Sequence, residues 1–247
     1  MRGNLVIDIG NHSMKAYVFV DSKITQHETY EGHDWRLLEP FIAAASYDAC
    51  IVSTVVRLDV AFTAFLARCE IIIFLSASTP MPMKLEYVTR ETLGPDRLAA
   101  ALGGWQLSGE GNVLVIVAGT CITYNLIDSS GTFRGGAISP GLHMRLRAMH
   151  EFTGKLPMVS AEGEYPLIGN STETSMRSGA RNGMIQETKG MIEACKTQYP
   201  ALKVIVSGGD GGFLAEALKN GIFARPDLVA EGLNTILNYN VANRPGQ

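Results

Sequence analysis

The chain has 247 residues, 46% of them hydrophobic and 18% charged, with a formal net charge of −3. That is enough apolar chain to bury the core of one large domain or two small ones, and too much for a disordered tail. The mild acidic excess, with no dense run of Lys or Arg, argues against a nucleic-acid binder, and even one of the longest apolar runs, Val113 to Ala118, falls far below the ~20 residues that span a bilayer.

Asp8 interrupts the N-terminal run before a signal-peptide core can form, so the expected location is the cytoplasm. The cysteines Cys50, Cys69, Cys121 and Cys195 form no CxxC pair and are expected as reduced thiols, with no zinc site.

Leu5 to Asp8 predicts a strand that ends at Gly10, and Lys15 to Val20 resumes the alternation, giving a β-hairpin around Ile9-Gly10-Asn11-His12-Ser13-Met14. Tyr47 to Val56 and Glu70 to Leu75 predict buried strands, with helical spacing over Leu58 to Cys69. Pro95 starts a helix that the Gly103-Gly104 pair is expected to end. Glu110-Gly111-Asn112 marks a domain junction, dividing the chain into halves 1–110 and 111–247.

The second half opens as the first does. Leu114, Val115, Ile116 and Gly119 align with Leu5, Val6, Ile7 and Gly10, and Thr123 to Ile127 supplies the return strand after Gly119-Thr120. Two halves sharing one fold are therefore expected. Phe133 to Ile138 predicts a glycine-interrupted strand, and Leu142 to Phe152, Thr174 to Gln198 and Gly212 to Asn220 predict helices, the last two separated by a strand over Leu202 to Val206.

Three segments could carry chemistry. Asp8-Ile9-Gly10-Asn11 puts a carboxylate at a strand end before a small-residue turn, suited to a hydrated Mg²⁺ and to phosphate oxygens. An ordinary hairpin turn fits as well. Gly94-Pro95-Asp96-Arg97 places a carboxylate and a guanidinium in the first turn of a helix, where Arg97 can grip an anionic substrate and Asp96 can accept a hydroxyl proton. A capping Asp beside a solvated Arg is the plain alternative. Ser207-Gly208-Gly209-Asp210-Gly211-Gly212, between a strand and a helix, suits a nucleoside contact or a simple strand-to-helix connection. Walker A, dinucleotide and Gly-x-Ser-x-Gly patterns are all missing.

In chain order, DIGNHSMK, Tyr87 with GPDR, AGTCITYN, GGAISPGLHMR with FTGKLP, GNSTETSMRSG and VSGGDGGF together resemble the type III pantothenate kinases. The resemblance spans Leu5 to about Leu214. It implies an α/β chain with a duplicated ribonuclease-H-like, actin-like ATPase fold, two similar halves around a nucleotide cleft. The implied activity is ATP-dependent phosphorylation of pantothenate to 4′-phosphopantothenate, the first step of coenzyme A biosynthesis. Carried over by position, Asp8, Ile9, Gly10, Asn11, His12, Ser13, Met14, Lys15 and Thr120 match ATP contacts, with Asp8 supporting Mg²⁺ through water. Tyr87, Gly94, Pro95, Asp96, Arg97 and Thr172 match pantothenate contacts, and Asp96 the proton acceptor. The resemblance also implies a homodimer, with Phe152 to Pro157 reaching toward the partner.

Two positions depart from the family pattern. Val117 stands where an Asp usually ligates a monovalent cation, and Asn125 replaces a second Asp, which puts dependence on K⁺ or NH₄⁺ in question. A nucleotide-binding regulatory homologue without catalysis, or a kinase of another small hydroxy acid, are the other readings.

Overall fold

A computed structural model describes residues 3–67, 69–219 and 222–244; Asn220, the expected end of one helix, lies outside them. In chain order the strands are β1 (Gly3–Ile9), β2 (Ser13–Val20), β3 (Lys23–Glu31), β4 (Tyr47–Thr54), β5 (Ile71–Phe74), β6 (Lys84–Leu85), β7 (Val113–Ala118), β8 (Cys121–Ile127), β9 (Thr132–Pro140), β10 (Lys203–Ser207) and β11 (Phe223–Ala224). The helices are α1 (Glu39–Ala44), α2 (Val60–Leu66), α3 (Pro95–Leu107), α4 (Leu142–Glu151), α5 (Thr172–Gln198), α6 (Gly211–Leu218) and α7 (Leu228–Ala242).

The chain divides into two compact units, the first Met1–Glu110, Gly131–Phe133 and Asp227–Gln247, the second Gly111–Ser130 and Arg134–Pro226. The change of unit at Glu110 coincides with the expected junction, but 111–247 is not one contiguous half. The segment carrying α7 groups with the first unit, where Asn4 Nδ2 donates to Asn234 Oδ1 and Asn238 Oδ1, each at 2.7 Å, and Tyr17 Oη donates to Asp227 at 3.1 Å.

In the first unit the sheet order is β3-β2-β1-β4-β5. β1 pairs antiparallel with β2, Asp8 opposite Lys15, and parallel with β4, Asp8 beside Ser53. Alternation puts Leu5, Ile7 and Ile9 into a core with Met14, Val18, Phe62 and Leu66. β3 is exposed along most of its length, and its polar sequence gives no apolar alternation to betray it.

The second unit repeats this order as β9-β8-β7-β10-β11, with β7 antiparallel to β8 and parallel to β10. The duplication expected from the two hairpins is therefore present strand for strand. α5 and α6 cover the β7–β10 apolar face with Met184, Ile192, Leu214 and Leu218. All four cysteines are free, and among the described residues no helix is long and apolar enough to cross a membrane.

Gly103-Gly104 does not end α3, which continues to Leu107. A Cβ at Gly103 would lie 2.7 Å from Leu228 O and 3.1 Å from Gly232 N, and one at Gly232 would overlap Ala99 O. The two glycines let α3 and α7 cross backbone to backbone. Dispersion and burial at that crossing offset the ~1 kcal/mol that a helical glycine costs relative to alanine.

Candidate active site

In the first unit two carboxylates face one another electrostatically. Asp8 sits at the carboxyl end of β1; desolvation, then the charge of Asp96, lift its pKa from 3.8 to about 6, while the Ser53 hydroxyl and the Lys15 ammonium pull it down. Desolvation likewise holds Asp96 above the usual carboxylate range, against the backbone N–H groups of Arg97 and Asp96 itself and the Arg97 charge. Asp96 lies in the first turn of α3, its carboxylate accepting from its own backbone N–H and that of Arg97. A Cβ on Gly94 would stand 2.5 Å from Asp96 Oδ1, so glycine at the N-cap is what leaves room for that carboxylate.

Arg97 follows and is 5% exposed. Its guanidinium carbon lies 6.0 Å from the Tyr87 ring centroid and 5.9 Å from that of Phe133, and the two rings are 6.0 Å apart. Parallel pairing of Lys84 with Thr132 and Leu85 with Phe133 brings the second ring there. Sequence reading selected Tyr87 and Arg97 but missed Phe133, which looks like any apolar strand residue. The geometry leaves a cation against two aromatic faces beside a desolvated acid, an arrangement suited to a small anionic molecule that also carries a hydroxyl.

The first turn closes by Gly10 N donating to Ser13 O at 2.9 Å. Asn11 and His12 are exposed, and Ser13 and Lys15 are partly buried. Ile9 and Met14 bury their side chains in the core, so only their backbones are available to a nucleotide. The segment after β3 braces this turn: Gly32 N donates to His12 O at 2.7 Å, and His33 Nε2 lies 2.9 Å from Gly10 O. Neither brace was visible in the sequence, because the contact joins a loop to a turn across two strands.

In the second unit Gly119-Thr120 forms the corresponding turn, closed by Gly119 N donating to Cys121 O at 3.0 Å. Three distant segments meet here. Gly141 N donates to Thr120 O at 3.0 Å and Asp210 N to Ala118 O at 3.1 Å. A Cβ on Gly141 would overlap Gly119 O, and one on Gly208, at φ +91°, would overlap Ala118 O. The Gly-rich loop therefore lies directly against the turn. Thr172 is elsewhere in this unit, exposed at the first position of α5, behind a Ser171–Thr174 capping box and beside a cavity of about 710 Å³ lined by Met149, Leu156, Gly169, Asn170 and Met176.

Asp8 fits a hydrated divalent ion: one carboxylate at a strand end, beside a small-residue turn, matches the way Mg²⁺ keeps water and phosphate ligands. Among the described residues no cluster of three or more His, Cys, Asp or Glu could hold a metal alone. The second turn offers a monovalent cation no carboxylate at the two positions in question. Val117 offers no side-chain oxygen, and Asn125 is fully buried with its Nδ2 donating to Val115 O at 3.3 Å and Thr123 Oγ1 at 3.1 Å.

A family model described as type III pantothenate kinase matches residues 4–194. The chain belongs to the type III pantothenate kinase family. A type III pantothenate kinase of Bacteroides fragilis is 42% identical over 96% of this chain and 98% of its own length. Those of Cytophaga hutchinsonii, 41% identical over 96% and 100%, and Porphyromonas gingivalis, 38% identical over 98% and 100%, agree.

Solved structures share the fold at low identity. A conserved putative Baf family transcriptional activator from Campylobacter jejuni superposes with a TM-score of 0.62 at 20% identity, covering 96% of this chain and 99% of that one. A putative N-acetylmannosamine kinase from Listeria monocytogenes reaches 0.57 at 13% identity, covering 97% and 99%. The type III pantothenate kinase chain thus has the duplicated α/β architecture expected of it, and its two acids and Arg97 occupy the unit where the family motifs DIGN and GPDR lie.

Proposed function

We propose that this chain transfers the γ-phosphoryl group of ATP to the primary hydroxyl of pantothenate, giving 4′-phosphopantothenate and ADP at the entry to coenzyme A biosynthesis. The observation that carries the reading is the desolvated Asp96 beside an Arg97 held by Tyr87 and Phe133. Arg97 binds the pantothenate carboxylate, with Tyr87 and Thr172 as further contacts. Asp96 orients the hydroxyl and takes its proton as the O–P bond forms. Its raised pKa brings it nearer the basicity that late proton acceptance needs.

The turns at Gly10 and Gly119 each offer backbone N–H groups to phosphate oxygens, and Ser13, Lys15 and Thr120 add side-chain donors. Asp8 would hold Mg²⁺ through water, and the ion when bound neutralises phosphate charge. Positioning is the main contribution of the chain itself. The chain acts in the cytoplasm as a homodimer; exposed Phe152, Met158, Leu167 and Ile168 in the second unit support an apolar contact near Thr172.

ADP release from ATP, Mg²⁺ and pantothenate, measured in Na⁺, K⁺ and NH₄⁺ salts, tests this. Turnover at equal rates in all three is expected, because Val117 offers no side-chain cation ligand and Asn125 only a neutral amide oxygen. Silence with pantothenate in every salt would overturn the assignment in favour of another hydroxy acid or a regulatory role.

A further inference from the structure

The second turn is held by a polar network that the proposed chemistry does not use. Arg145, on the first turns of α4, donates from Nε to Pro140 O at 2.8 Å and from Nη2 to Ser139 Oγ at 3.0 Å, and Nη2 also bonds Glu187 Oε2 on α5. One guanidinium thus fixes the two residues that precede Gly141, while its own backbone N–H donates to Gly141 O at 3.0 Å. Gly141 is the residue packed on Gly119 and hydrogen-bonded to Thr120 O.

The other end of the network returns to the same turn. Tyr124 Oη donates to Glu187 Oε1 at 3.2 Å and lies 3.1 Å from Thr188 Oγ1, which donates to Met184 O at 2.8 Å. Tyr124 is buried on β8, the strand that leaves Thr120. Desolvation pulls the Glu187 carboxyl up, but hydrogen bonds from Arg145 and Ser139 and the Arg145 charge outweigh it and hold it below the usual range, so it is anionic throughout the working pH. Partly exposed ion pairs like this one add little net stability. What this one supplies is a single fixed arrangement of turn, β8, α4 and α5.

We propose that Arg145 and Glu187 are a positioning pair that sets the second turn for nucleotide by locking Ser139-Pro140-Gly141 against Gly119-Thr120. This rests on the reading of that turn as an ATP contact. Neither side chain touches substrate in the proposal. Their removal loosens the turn, so it acts on nucleotide affinity rather than on proton transfer at Asp96.

Steady-state kinetics with both substrates varied, with calorimetric ATP binding and a thermal melt, test the pair in Arg145→Ala, Arg145→Lys, Glu187→Gln and the milder Ser139→Ala. Arg145→Ala is expected to raise the KM for ATP about tenfold, the scale of one lost charge-assisted hydrogen bond, with kcat and the KM for pantothenate within about threefold. Glu187→Gln, which keeps one acceptor oxygen for Tyr124 or Arg145 but loses the second and the charge, should recover only part of the ATP affinity that Glu187→Ala loses. The Arg145→Ala/Glu187→Ala double variant should bind ATP no more weakly than the worse single one.

An unchanged KM for ATP in folded Arg145→Lys and Ser139→Ala overturns the proposal. So does an equal loss in both KM values and kcat that follows Tm alone. Thr120→Val separates the two ideas: if it weakens ATP binding while the Arg145 variants do not, the turn is a nucleotide contact and the positioning role is wrong. If neither weakens it, the reading of the turn fails as well.

Discussion

The two units present the same hairpin with opposite contents. In the first, β1 ends on Asp8, a carboxylate lifted to about 6 by desolvation and Asp96, and the turn is braced from outside by Gly32 and His33. In the second, the matching strand position is Val117, and the turn is approached at backbone distance by Gly141 and Gly208. One copy of the fold has kept charge at the strand end; the other has exchanged charge for close main-chain approach. A duplicated fold can therefore carry charge on one hairpin and close main-chain packing on its twin.

The largest expected effect tests the charged side. Asp96→Asn should lower kcat by ~10²–10⁴-fold, the usual contribution of a positioned general base, while calorimetric ATP binding stays near that of the parent. Retained turnover would remove the chemical role from the first unit. Arg97→Lys comes next. A lysine keeps the charge but loses the planar stack on Tyr87 and Phe133, so the KM for pantothenate should rise roughly tenfold, about 1.4 kcal/mol, with that for ATP unchanged.

The backbone side is sharpened by Gly208→Ala. A Cβ there meets Ala118 O at a positive φ, so overpacking should cost about 1–3 kcal/mol, read as a fall in Tm of ~2–4 °C per kcal/mol, together with weaker ATP binding. The same exchange at Gly119, which has open space where its Cβ would lie, should leave Tm nearly unaltered.

Asp8→Asn gives a stability shift of opposite sign. A carboxyl whose folded pKa is raised favours folding most when protonated in both states, below about 4, and that contribution is lost as pH rises through about 6. Replacing it with a neutral amide should therefore raise stability above pH 6 by ~1–3 kcal/mol and leave it unchanged below pH 4, even as catalysis is lost. Urea melts at pH 4 and pH 8 would show it.

Much of this was readable in the sequence, for identifiable reasons. Strand ends at Asp8 and Ala118 are legible because buried alternation stops where glycine begins, and GPDR is legible because Pro at N1 fixes a helix start. The rest depended on contacts between segments far apart in the chain. Phe133 joins the Arg97 site through a two-residue strand pairing, and His33 meets Gly10 across β2 and β3. Gly103-Gly104 misled because a local breaker rule lost to a helix crossing formed with residues more than a hundred positions later.

That crossing also orders events during synthesis. The first unit holds both acids, yet its α7 is encoded after every strand of the second unit. Completion of the first unit therefore waits for α7 to be made. A chain truncated after Pro226 would lack the helix that packs against α3, the element that carries Asp96 and Arg97, so that truncation should disable the kinase although it removes neither residue.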